Sequence, residues 1–329
     1  MENVMLKINN LTTEFKTETG IFPAVSGINL TINRGETLCI VGESGSGKTV
    51  GSLSLMQLLP PSGKIASGEI WFENTNLLQL KKKEISNVRG KSIAMIFQDP
   101  MSALDPVFPC GSQIIEAIRS HEKVSRKEAS EKAKELLKQV GIPHPETVMK
   151  AFPHELSGGM SQRVMIAMAL SCNPKLLIAD EPTTALDVTV QAQILKLLKK
   201  IRIERNMSIM LITHDLGVVA EMADRVAVMY AGQIVEEGDV KSIFNNPKHP
   251  YTKGLLKSVP SLEDSNGKKL YTITGSVPSI ASMPKGCRFS PRCPEAASAC
   301  FEIEPKMNQL EQQSKVKCLI FEKGGKWET

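Results

Sequence analysis

The chain has 329 residues, of which 41% are hydrophobic and 23% charged, so it is long enough for one large domain or two smaller ones. This composition excludes the disordered and fibrous classes, and a net charge of +5 with scattered basic residues does not indicate a nucleic-acid-binding surface. No apolar run reaches the roughly 18 residues that cross a bilayer, and the N-terminus lacks the pattern of a signal peptide. We therefore expect the protein to stay in the cytosol.

The first half of the chain predicts short strands and turns up to about residue 80, and then a helical region. Residues 36–42 form a candidate buried strand, and residues 49–59 form the helix after a glycine-rich loop. From about residue 100 to about 175 the pattern is helical, and a helix at 126–140 ends before Gly141, a candidate C-cap. Its predicted buried face consists of Ala129, Ala133, Leu136, Leu137 and Val140.

The second half alternates strands with a helix, which implies an α/β sheet. Residues 175–181 and 207–215 are continuous apolar runs typical of central parallel strands, with a helix at 189–206 between them. Residues 225–239 predict a hairpin that turns at Ala231-Gly232. Proline and polar residues become more frequent beyond about residue 240, so we predict one domain over 1–240 and a C-terminal extension over 241–329.

A phosphate-binding loop follows the first buried strand. The stretch GESGSGKT satisfies the pattern G-x-x-x-x-G-K-[ST] and comprises Gly42, Glu43, Ser44, Gly45, Ser46, Gly47, Lys48 and Thr49. Its glycines allow consecutive backbone N–H groups to converge on a phosphate, Lys48 supplies positive charge, and the Thr49 hydroxyl is a candidate Mg²⁺ ligand. We therefore expect the chain to bind ATP or GTP.

Polar residues end three other apolar runs. Asp180 and Glu181 end one of them, and because neighbouring side chains of an extended strand point in opposite directions, the two carboxylates can hold different roles. Asp180 suits the Mg²⁺ shell and Glu181 suits the base that polarises an attacking water. Gln98 is a candidate contact to the metal or the water, and His214 ends a strand at the edge where ligands bind in open α/β folds.

A second glycine-rich stretch, Ser157-Gly158-Gly159, precedes an apolar helix pattern. Small residues at a helix start leave backbone N–H groups accessible, which is how a helix N-terminus binds a phosphate. The chain therefore has two candidate phosphate-binding sites, more than a hundred residues apart.

The motifs GESGSGKT, MIFQDP, LSGGM, LLIADEP, TALD and LITHD, in this order and spacing, resemble the ATP-binding subunit of an ATP-binding-cassette (ABC) transporter. The resemblance covers about residues 1–240. It implies an α/β fold: an ABC-type P-loop ATPase with a RecA-like α/β core, an antiparallel β subdomain and a helical signature subdomain at about 100–175, here with a small C-terminal extension. It also implies an active ATPase in which two cassettes bind two ATP molecules head to tail, so that Ser157, Gly158 and Gly159 serve the partner's ATP.

The same resemblance assigns further residues to the ATP site. Phe15 resembles the aromatic residue that stacks on adenine, with Phe22 as the competing candidate, and either could belong to the core. Asp187 resembles the loop residue that signals across the dimer, and His214 the residue that holds the γ-phosphate. Thr184 stands where serine is commoner in the family, but it keeps a hydroxyl group.

The long form MIFQDPMSALDP and the tail elements HPYT and GCRFSPRCP resemble the peptide and nickel importer branch of the family, and most of all its dipeptide and oligopeptide ATPases. That resemblance implies a second, homologous ATPase subunit in a heterodimer, two membrane permease subunits and an extracytoplasmic binding protein that delivers a short peptide. The chain would then lie peripherally on the cytoplasmic face of the cell (inner) membrane. Nucleic acid is not an expected partner.

Four of the seven cysteines, Cys287, Cys293, Cys300 and Cys318, lie in the last 45 residues or so. In a reducing compartment, four close thiols with Pro and Gly between them predict a metal site, either Zn²⁺ or an iron–sulfur cluster. Short C-x₂-C spacings are absent, which disfavours a zinc ribbon and the common ferredoxin pattern. Some members of the peptide branch carry a [4Fe–4S] cluster in this tail, so the resemblance favours a cluster, with zinc and ordinary reduced cysteines as alternatives.

Three alternatives to a peptide importer remain at this point. Nickel importers share nearly all these motifs. A soluble cassette ATPase acting in DNA repair or translation would be expected to carry long coiled coils or two cassettes, and the sequence has one cassette without sustained heptads. A metal-sensing or electron-transfer module would explain the tail alone and leave the phosphate-binding loop unused.

Overall fold

The computed structural model describes residues 3–184, 186–259, 271–311 and 314–322, so Ala185 of the TALD motif lies outside the described residues. The strands are β1 (Val4–Thr17), β2 (Gly20–Asn33), β3 (Thr37–Val41), β4 (Gly63–Phe72), β5 (Thr75–Asn76), β6 (Ile93–Ile96), β7 (Leu176–Asp180), β8 (Ser208–Thr213), β9 (Arg225–Tyr230), β10 (Gln233–Asp239), β11 (Asn308–Glu311) and β12 (Ser314–Val316). The helices are α1 (Lys48–Leu55), α2 (Lys82–Val88), α3 (Pro100–Ala103), α4 (Cys110–His121), α5 (Arg126–Gln139), α6 (Pro145–Val148), α7 (Gly158–Ala169), α8 (Val188–Arg205), α9 (Leu216–Met222), α10 (Val240–Asn245), α11 (Pro250–Lys257) and α12 (Ala299–Glu302).

These residues divide into two compact units. The first unit comprises the described residues of Met1–Met5, Ile32–Thr37 and Gln79–Ile212. The second unit comprises those of Leu6–Thr31, Leu38–Leu78 and Thr213–Thr329. No helix among the described residues combines the length and the hydropathy that a membrane crossing requires.

The first unit is built on parallel strands with helices beside them. β6 pairs with β7 and β7 with β8, both in parallel, and all side chains of β7 and β8 are buried. Strands buried on both faces are continuously apolar, which confirms the interpretation of residues 175–181 and 207–215 as central strands. In parallel strands the carboxyl ends meet at one edge, so the residues after β6 and after β7 lie on the same side.

The helical part of the first unit follows the predicted pattern. α5 begins with a capping box in which the Ser125 hydroxyl accepts the N–H of Glu128, and it ends before Gly141, whose φ is 81°. All five residues of the predicted apolar face are buried, and α5 packs against α4 and α7. The predicted helix and its C-cap are therefore confirmed.

The second unit contains an antiparallel sheet and a strand–loop–helix segment. The sheet has the order β2-β1-β4-β5, which confirms the expected antiparallel β subdomain. The sequence predicted short strands here, whereas β1 and β2 have 14 residues each. Bulges in the pairing of β1 with β4 let β1 bend without ending. β3 leads into the glycine-rich loop and α1, as predicted, although α1 ends at Leu55 and not at residue 59.

A hairpin and the C-terminal extension complete the second unit. β9 and β10 pair in antiparallel fashion around Ala231 and Gly232, whose φ angles of 45° and 84° are typical of a two-residue hairpin turn. β9 also pairs with β3 in parallel, and β12 pairs with β10 and β11. The predicted hairpin is confirmed, whereas the pairing of the extension with it was not expected.

Candidate functional site

The loop GESGSGKT curls tightly between β3 and α1. Gly47 is the N-cap of α1 with φ 98°, a conformation that favours glycine, and a Cβ on Gly42 would stand 2.1 Å from the carbonyl oxygen of Met229. The Lys48 ammonium donates hydrogen bonds to the carbonyl oxygens of Gly42 (2.7 Å) and Glu43 (3.0 Å), so it lies in the curve of the loop. Thr49 is exposed in the first turn of α1. This arrangement presents a cation, a hydroxyl and backbone N–H groups to a phosphate chain.

The β9–β10 turn supports the loop from behind. The N–H of Gly232 donates to the carbonyl oxygen of Ser46 (2.8 Å), and the carbonyl oxygen of Gly232 accepts the N–H of Ser26 (2.9 Å). A Cβ on Gly232 would stand 2.5 Å from the carbonyl oxygen of Ala24. The predicted hairpin therefore has a role that the sequence did not indicate, because it fixes the shape of the phosphate-binding loop.

The paired carboxylates follow β7 in the first unit. Asp180 is buried at the end of the strand, and Glu181 is partly exposed. Glu181 does not continue the extended backbone, since its φ is 46°, a strained conformation for a residue with a side chain. The two side chains are thus separated by a change of backbone conformation and not by simple strand alternation.

Gln98 and Thr184 both contact Glu181. The Gln98 amide donates to Glu181 Oε2 (3.0 Å), and the Thr184 hydroxyl donates to the same oxygen (3.0 Å). The first unit therefore brings together Gln98 and Glu181, two of the predicted catalytic residues. Thr184 was singled out in the sequence only as a departure from the family pattern, and its contact with the carboxylate is new.

The second glycine-rich stretch forms the start of α7, also in the first unit. Ser157 is the N-cap, its hydroxyl accepts the N–H of Met160 (3.4 Å), and Ser157 and Gly158 are exposed. A Cβ on Gly159 would stand 3.0 Å from Val190 Cγ1, so glycine allows α8 to approach closely. Asp187 is the N-cap of α8, where its carboxylate accepts the N–H of Val190 (3.0 Å).

His214 and the two aromatic candidates belong to the second unit. His214 directly follows β8 and is exposed. Phe15 lies on β1 two residues after Thr13, whose hydroxyl is hydrogen-bonded to that of Ser54 on α1 (2.8 Å), so Phe15 shares the strand face that meets the helix of the phosphate-binding loop. Phe22 lies instead on β2, with its ring tip 3.2 Å from the position of a Cβ on Gly20.

All four tail cysteines line one cavity of about 20 Å³ in the second unit: Cys287, Cys293, Cys300 and Cys318. Burial raises the pKa of Cys287, that of Cys293 to about 11 and that of Cys318 to about 12. His249 lines the same cavity, and burial lowers its pKa to about 3, so it is neutral at pH 7. Among the described residues, no three His, Cys, Asp or Glu side chains lie close enough to hold one metal ion.

Two residues of the second unit that contact the phosphate-binding loop were missed by sequence reasoning. Tyr251 accepts the N–H of Glu43 (2.8 Å), and Arg292 forms an ion pair with the Glu43 carboxylate. Tyr251 belongs to the HPYT element and Arg292 to the cysteine segment, and both motifs were noted in the sequence. The sequence could not place them near the loop, because that position depends on tertiary contacts between residues more than 200 positions apart.

Comparison with protein families gives two matches. Residues 25–184 match the ABC transporter family, and residues 235–300 match the family described as the oligopeptide/dipeptide transporter, C-terminal region. The chain is also 54% identical to the oligopeptide transport ATP-binding protein OppD of Bacillus subtilis strain 168, over 95% of this chain and 88% of that protein. It is 50% identical to the dipeptide transport ATP-binding protein DppD of Haemophilus influenzae, over 95% and 94% of the two chains.

Solved structures give the same result. The chain resembles the ATP-binding cassette MJ0796 in its dimeric, post-hydrolysis state bound to ADP and phosphate, with a TM-score of 0.66 and 31% sequence identity. The match covers 72% of this chain and 99% of that one. The chain therefore belongs to the ATP-binding subunits of ABC transporters, in the group of oligopeptide and dipeptide transport ATP-binding proteins.

Proposed function

We propose that this chain is the ATP-hydrolysing subunit of an ABC importer that drives the uptake of dipeptides and oligopeptides across the cytoplasmic membrane. The observation that carries the proposal is the union of a complete ATPase motif set with a C-terminal region of the oligopeptide/dipeptide transporter type. Identities of about 50% to transport ATP-binding proteins for peptides, over nearly the whole chain, support the same substrate class. The cassette then occupies about residues 1–240, and the extension occupies 241–329.

In this function the loop Gly42–Thr49 binds the triphosphate. Its backbone N–H groups and the Lys48 ammonium neutralise the β- and γ-phosphate oxygens, and Lys48 exchanges its present carbonyl contacts for phosphate contacts. Phe15 stacks on the adenine, which its position on the strand face toward α1 supports over Phe22. The other loop residues shape the curve around the phosphates.

Hydrolysis relies on Glu181, Gln98 and His214. Glu181 accepts the proton of the attacking water, while the Gln98 amide and the Thr184 hydroxyl hold its carboxylate in place. His214 donates a hydrogen bond to the γ-phosphate. When Mg²⁺ is bound, it offsets the charge that develops on the phosphates. Thr49, Gln98 and Asp180 would hold it, and their hydroxyl, amide and carboxylate oxygens are the hard donors that this ion prefers.

The exposed start of α7 serves the ATP of a second cassette. Ser157, Gly158 and Gly159 present a hydroxyl and backbone N–H groups, and Asp187 lies beside them at the start of α8. The dimeric state of the similar cassette MJ0796 supports this assignment. The assembly then contains a second, homologous ATPase subunit, two permease subunits and an extracytoplasmic substrate-binding protein, with this chain peripheral on the cytoplasmic face of the membrane.

The tail cysteines hold a [4Fe–4S] cluster in this proposal. Four thiols line one cavity, and four thiolates are the donor set of such a cluster, although the cavity of about 20 Å³ would have to widen to take it. Zinc fits less well, since no three of the described His, Cys, Asp or Glu side chains lie close enough together to hold a single ion. The cluster would stabilise an extension that is too small to bury a core of its own.

Metal analysis tests the cluster directly. Anaerobically purified protein is expected to contain about four irons per chain, and Cys300→Ser is expected to lose them. Cys172→Ser is the matched control, because Cys172 lies in the other unit. Protein without iron would return the four cysteines to ordinary reduced thiols, and stoichiometric zinc would replace the cluster with a single ion.

Uptake measurements test the transport function. Cells that lack this gene are supplied with the wild-type chain or with Lys48→Ala, and the uptake of a labelled tripeptide is compared with that of labelled Ni²⁺. We expect the wild type to restore peptide uptake and Lys48→Ala to leave it at background. Restoration of Ni²⁺ uptake alone would overturn the peptide assignment, and restoration of neither would overturn the importer assignment.

A further inference from the structure

The phosphate-binding loop contains a carboxylate, which is unfavourable beside a triphosphate. Glu43 is the second residue of the loop, and the Lys48 ammonium already contacts its carbonyl oxygen (3.0 Å). A negative side chain at this position repels the phosphate oxygens that the loop must bind. The negative charge of Glu43 therefore has to be neutralised by a cation other than Lys48, which the phosphates themselves require.

Arg292 is that partner. Its Nη1 donates to Glu43 Oε2 (2.8 Å) and its Nη2 donates to Glu43 Oε1 (3.0 Å), which is a bidentate ion pair. The side chain of Arg292 is only 4% exposed and that of Glu43 is 31% exposed. Arg292 is therefore almost fully removed from solvent, whereas the partly exposed Glu43 carboxylate remains open to screening by salt.

The guanidinium is held in place by the extension that carries it. Its Nε donates to the carbonyl oxygen of Thr274 (2.9 Å), and its Nη2 also donates to that of Gly275 (3.2 Å). The group lies 5.7 Å from the centre of the Tyr230 ring. These contacts fix the position and orientation of the guanidinium group, which in turn fixes the Glu43 carboxylate.

A second contact ties the backbone of Glu43 to the same region. The Tyr251 hydroxyl accepts the Glu43 N–H (2.8 Å), and Tyr251 packs against Tyr230 and Phe289, with ring centres 4.6 and 5.4 Å apart. Phe289 lies between Cys287 and Cys293 in the sequence, as Arg292 does. The cysteine segment thus contributes both a charge and an aromatic contact to the support of the loop.

We propose that Arg292 is a positioning residue of the ATP site, which cancels the charge of Glu43 and so sets the affinity of the loop for the nucleotide. The extension then has a part in ATP binding and is not only an appendix to the cassette. This inference rests on the proposed ATPase function of the loop. It concerns nucleotide affinity and not the hydrolytic step, because Arg292 contacts the loop at Glu43.

A double-mutant cycle on the full chain tests it, with the dissociation constant of ATP as the readout. Arg292→Gln is expected to weaken ATP binding roughly tenfold, because the Glu43 charge is then uncompensated. Arg292→Gln combined with Glu43→Gln is expected to recover affinity to within about twofold of the wild type, since no net charge remains. Arg292→Lys keeps the charge and is expected to lose about threefold at most.

Two further readouts separate a role in charge from a role in folding. Glu43→Gln alone leaves Arg292 uncompensated and is expected to bind ATP more tightly than the wild type, even if Arg292→Gln does not fold. Raising the salt from about 0.05 to about 0.5 M is expected to reduce the difference between Arg292→Gln and the wild type. A merely structural role would give neither the recovery in the double variant nor the salt dependence.

The outcomes keep this inference apart from the proposed function. The role of Arg292 is overturned if Arg292→Gln binds ATP as tightly as the wild type, or if the double variant binds as weakly as Arg292→Gln alone. The ATPase assignment stays intact in either case, provided that the wild type binds ATP. A wild type that does not bind ATP overturns the proposed function itself.

Discussion

Two helices of this chain begin at glycine-rich turns, and the two starts are built differently. α1 follows Gly47, which has a left-handed backbone and contributes no side-chain cap. α7 follows Ser157, whose hydroxyl caps the helix by accepting the N–H of Met160. The first start has no side-chain cap, and the curled loop before it only directs its N–H groups, whereas the second is an ordinary capped helix with an exposed end.

The residues that support the two helix starts also differ in how far they lie from them along the sequence. The loop before α1 is shaped by Met229, Gly232 and Arg292, which all lie more than 180 residues after it. The start of α7 contacts Leu186 and Val190, about 30 residues further along. We conclude that distant residues hold the loop before α1 in shape, whereas the start of α7 is an exposed helix end supported by residues close to it in the sequence.

The largest effect is expected from Glu181→Gln, which leaves both helix starts unchanged. It tests whether ATP binding at the helix starts can be separated from ATP hydrolysis. Both starts remain intact in this variant, so ATP binding is expected to persist while turnover falls roughly 10²- to 10⁴-fold through loss of the positioned base. The measurement is ATP hydrolysis by the complex with its partner subunits, with Glu204→Gln as the control because Glu204 is an exposed residue of α8 in the same unit. Near-normal turnover would remove Glu181 from the role of base.

Alanine substitutions at the glycines test the difference between the two helix starts directly. Gly42→Ala places a Cβ against the Met229 carbonyl oxygen, and the strain is expected to weaken ATP binding about 10- to 100-fold. Gly158→Ala is the matched variant, since the nearest atom to its Cβ is Leu186 Cδ2 at 3.8 Å, an ordinary contact. The ATP affinity of the full chain by itself is expected to stay unchanged in Gly158→Ala. Equal effects of the two variants would show that the two starts do not differ as described.

Removal of the cap sharpens the distinction between stability and function. Ser157→Ala and Ser125→Ala each delete an N-cap hydroxyl of the first unit, so each is expected to lower the free energy of unfolding by about 1 kcal/mol. In the complex, Ser157→Ala is expected to lower ATP hydrolysis about tenfold as well, because in the proposed function its hydroxyl also serves a phosphate. Ser125→Ala is expected to hydrolyse ATP normally. An equal loss of hydrolysis in both variants would reduce Ser157 to a helix cap.

The smallest effect concerns the residue that holds Glu181. Thr184→Val deletes the hydroxyl that donates to Glu181 Oε2, and turnover is expected to fall about fivefold, the usual size of one hydrogen bond. Thr184→Ser keeps the hydroxyl and is expected to retain the wild-type rate. The two rates are compared at saturating ATP, and identical rates would mean that the hydroxyl does not position the carboxylate.

The parts of the fold that the sequence predicted well are encoded locally. The buried strands β7 and β8, the face of α5 and the turn at Ala231-Gly232 each follow from a pattern within about 20 residues. Similarly, the loop around Lys48 and the cap at Ser157 follow from short motifs. Their positions were therefore predictable before any tertiary contact was known.

The features that escaped prediction depend on distant contacts or on strain. The positive φ of Glu181 has no sequence signal, because a non-glycine residue takes that conformation only where its surroundings impose it. The contacts of Arg292 and Tyr251 with Glu43 join residues more than 200 positions apart. Pairing of β12 with β10 likewise could not be derived from the polar sequence of the extension.

The central claim is that the start of α1 binds this subunit's own ATP and the start of α7 serves the partner's. Photo-crosslinking with labelled 8-azido-ATP in the complex tests it, because the label remains on the subunit whose loop binds the nucleotide and the two ATPase subunits can be separated afterwards. We predict that Lys48→Ala removes label from this chain, and that Ser157→Ala reduces label on the partner ATPase while this chain keeps its own. Loss of label from this chain alone in Ser157→Ala would contradict the account.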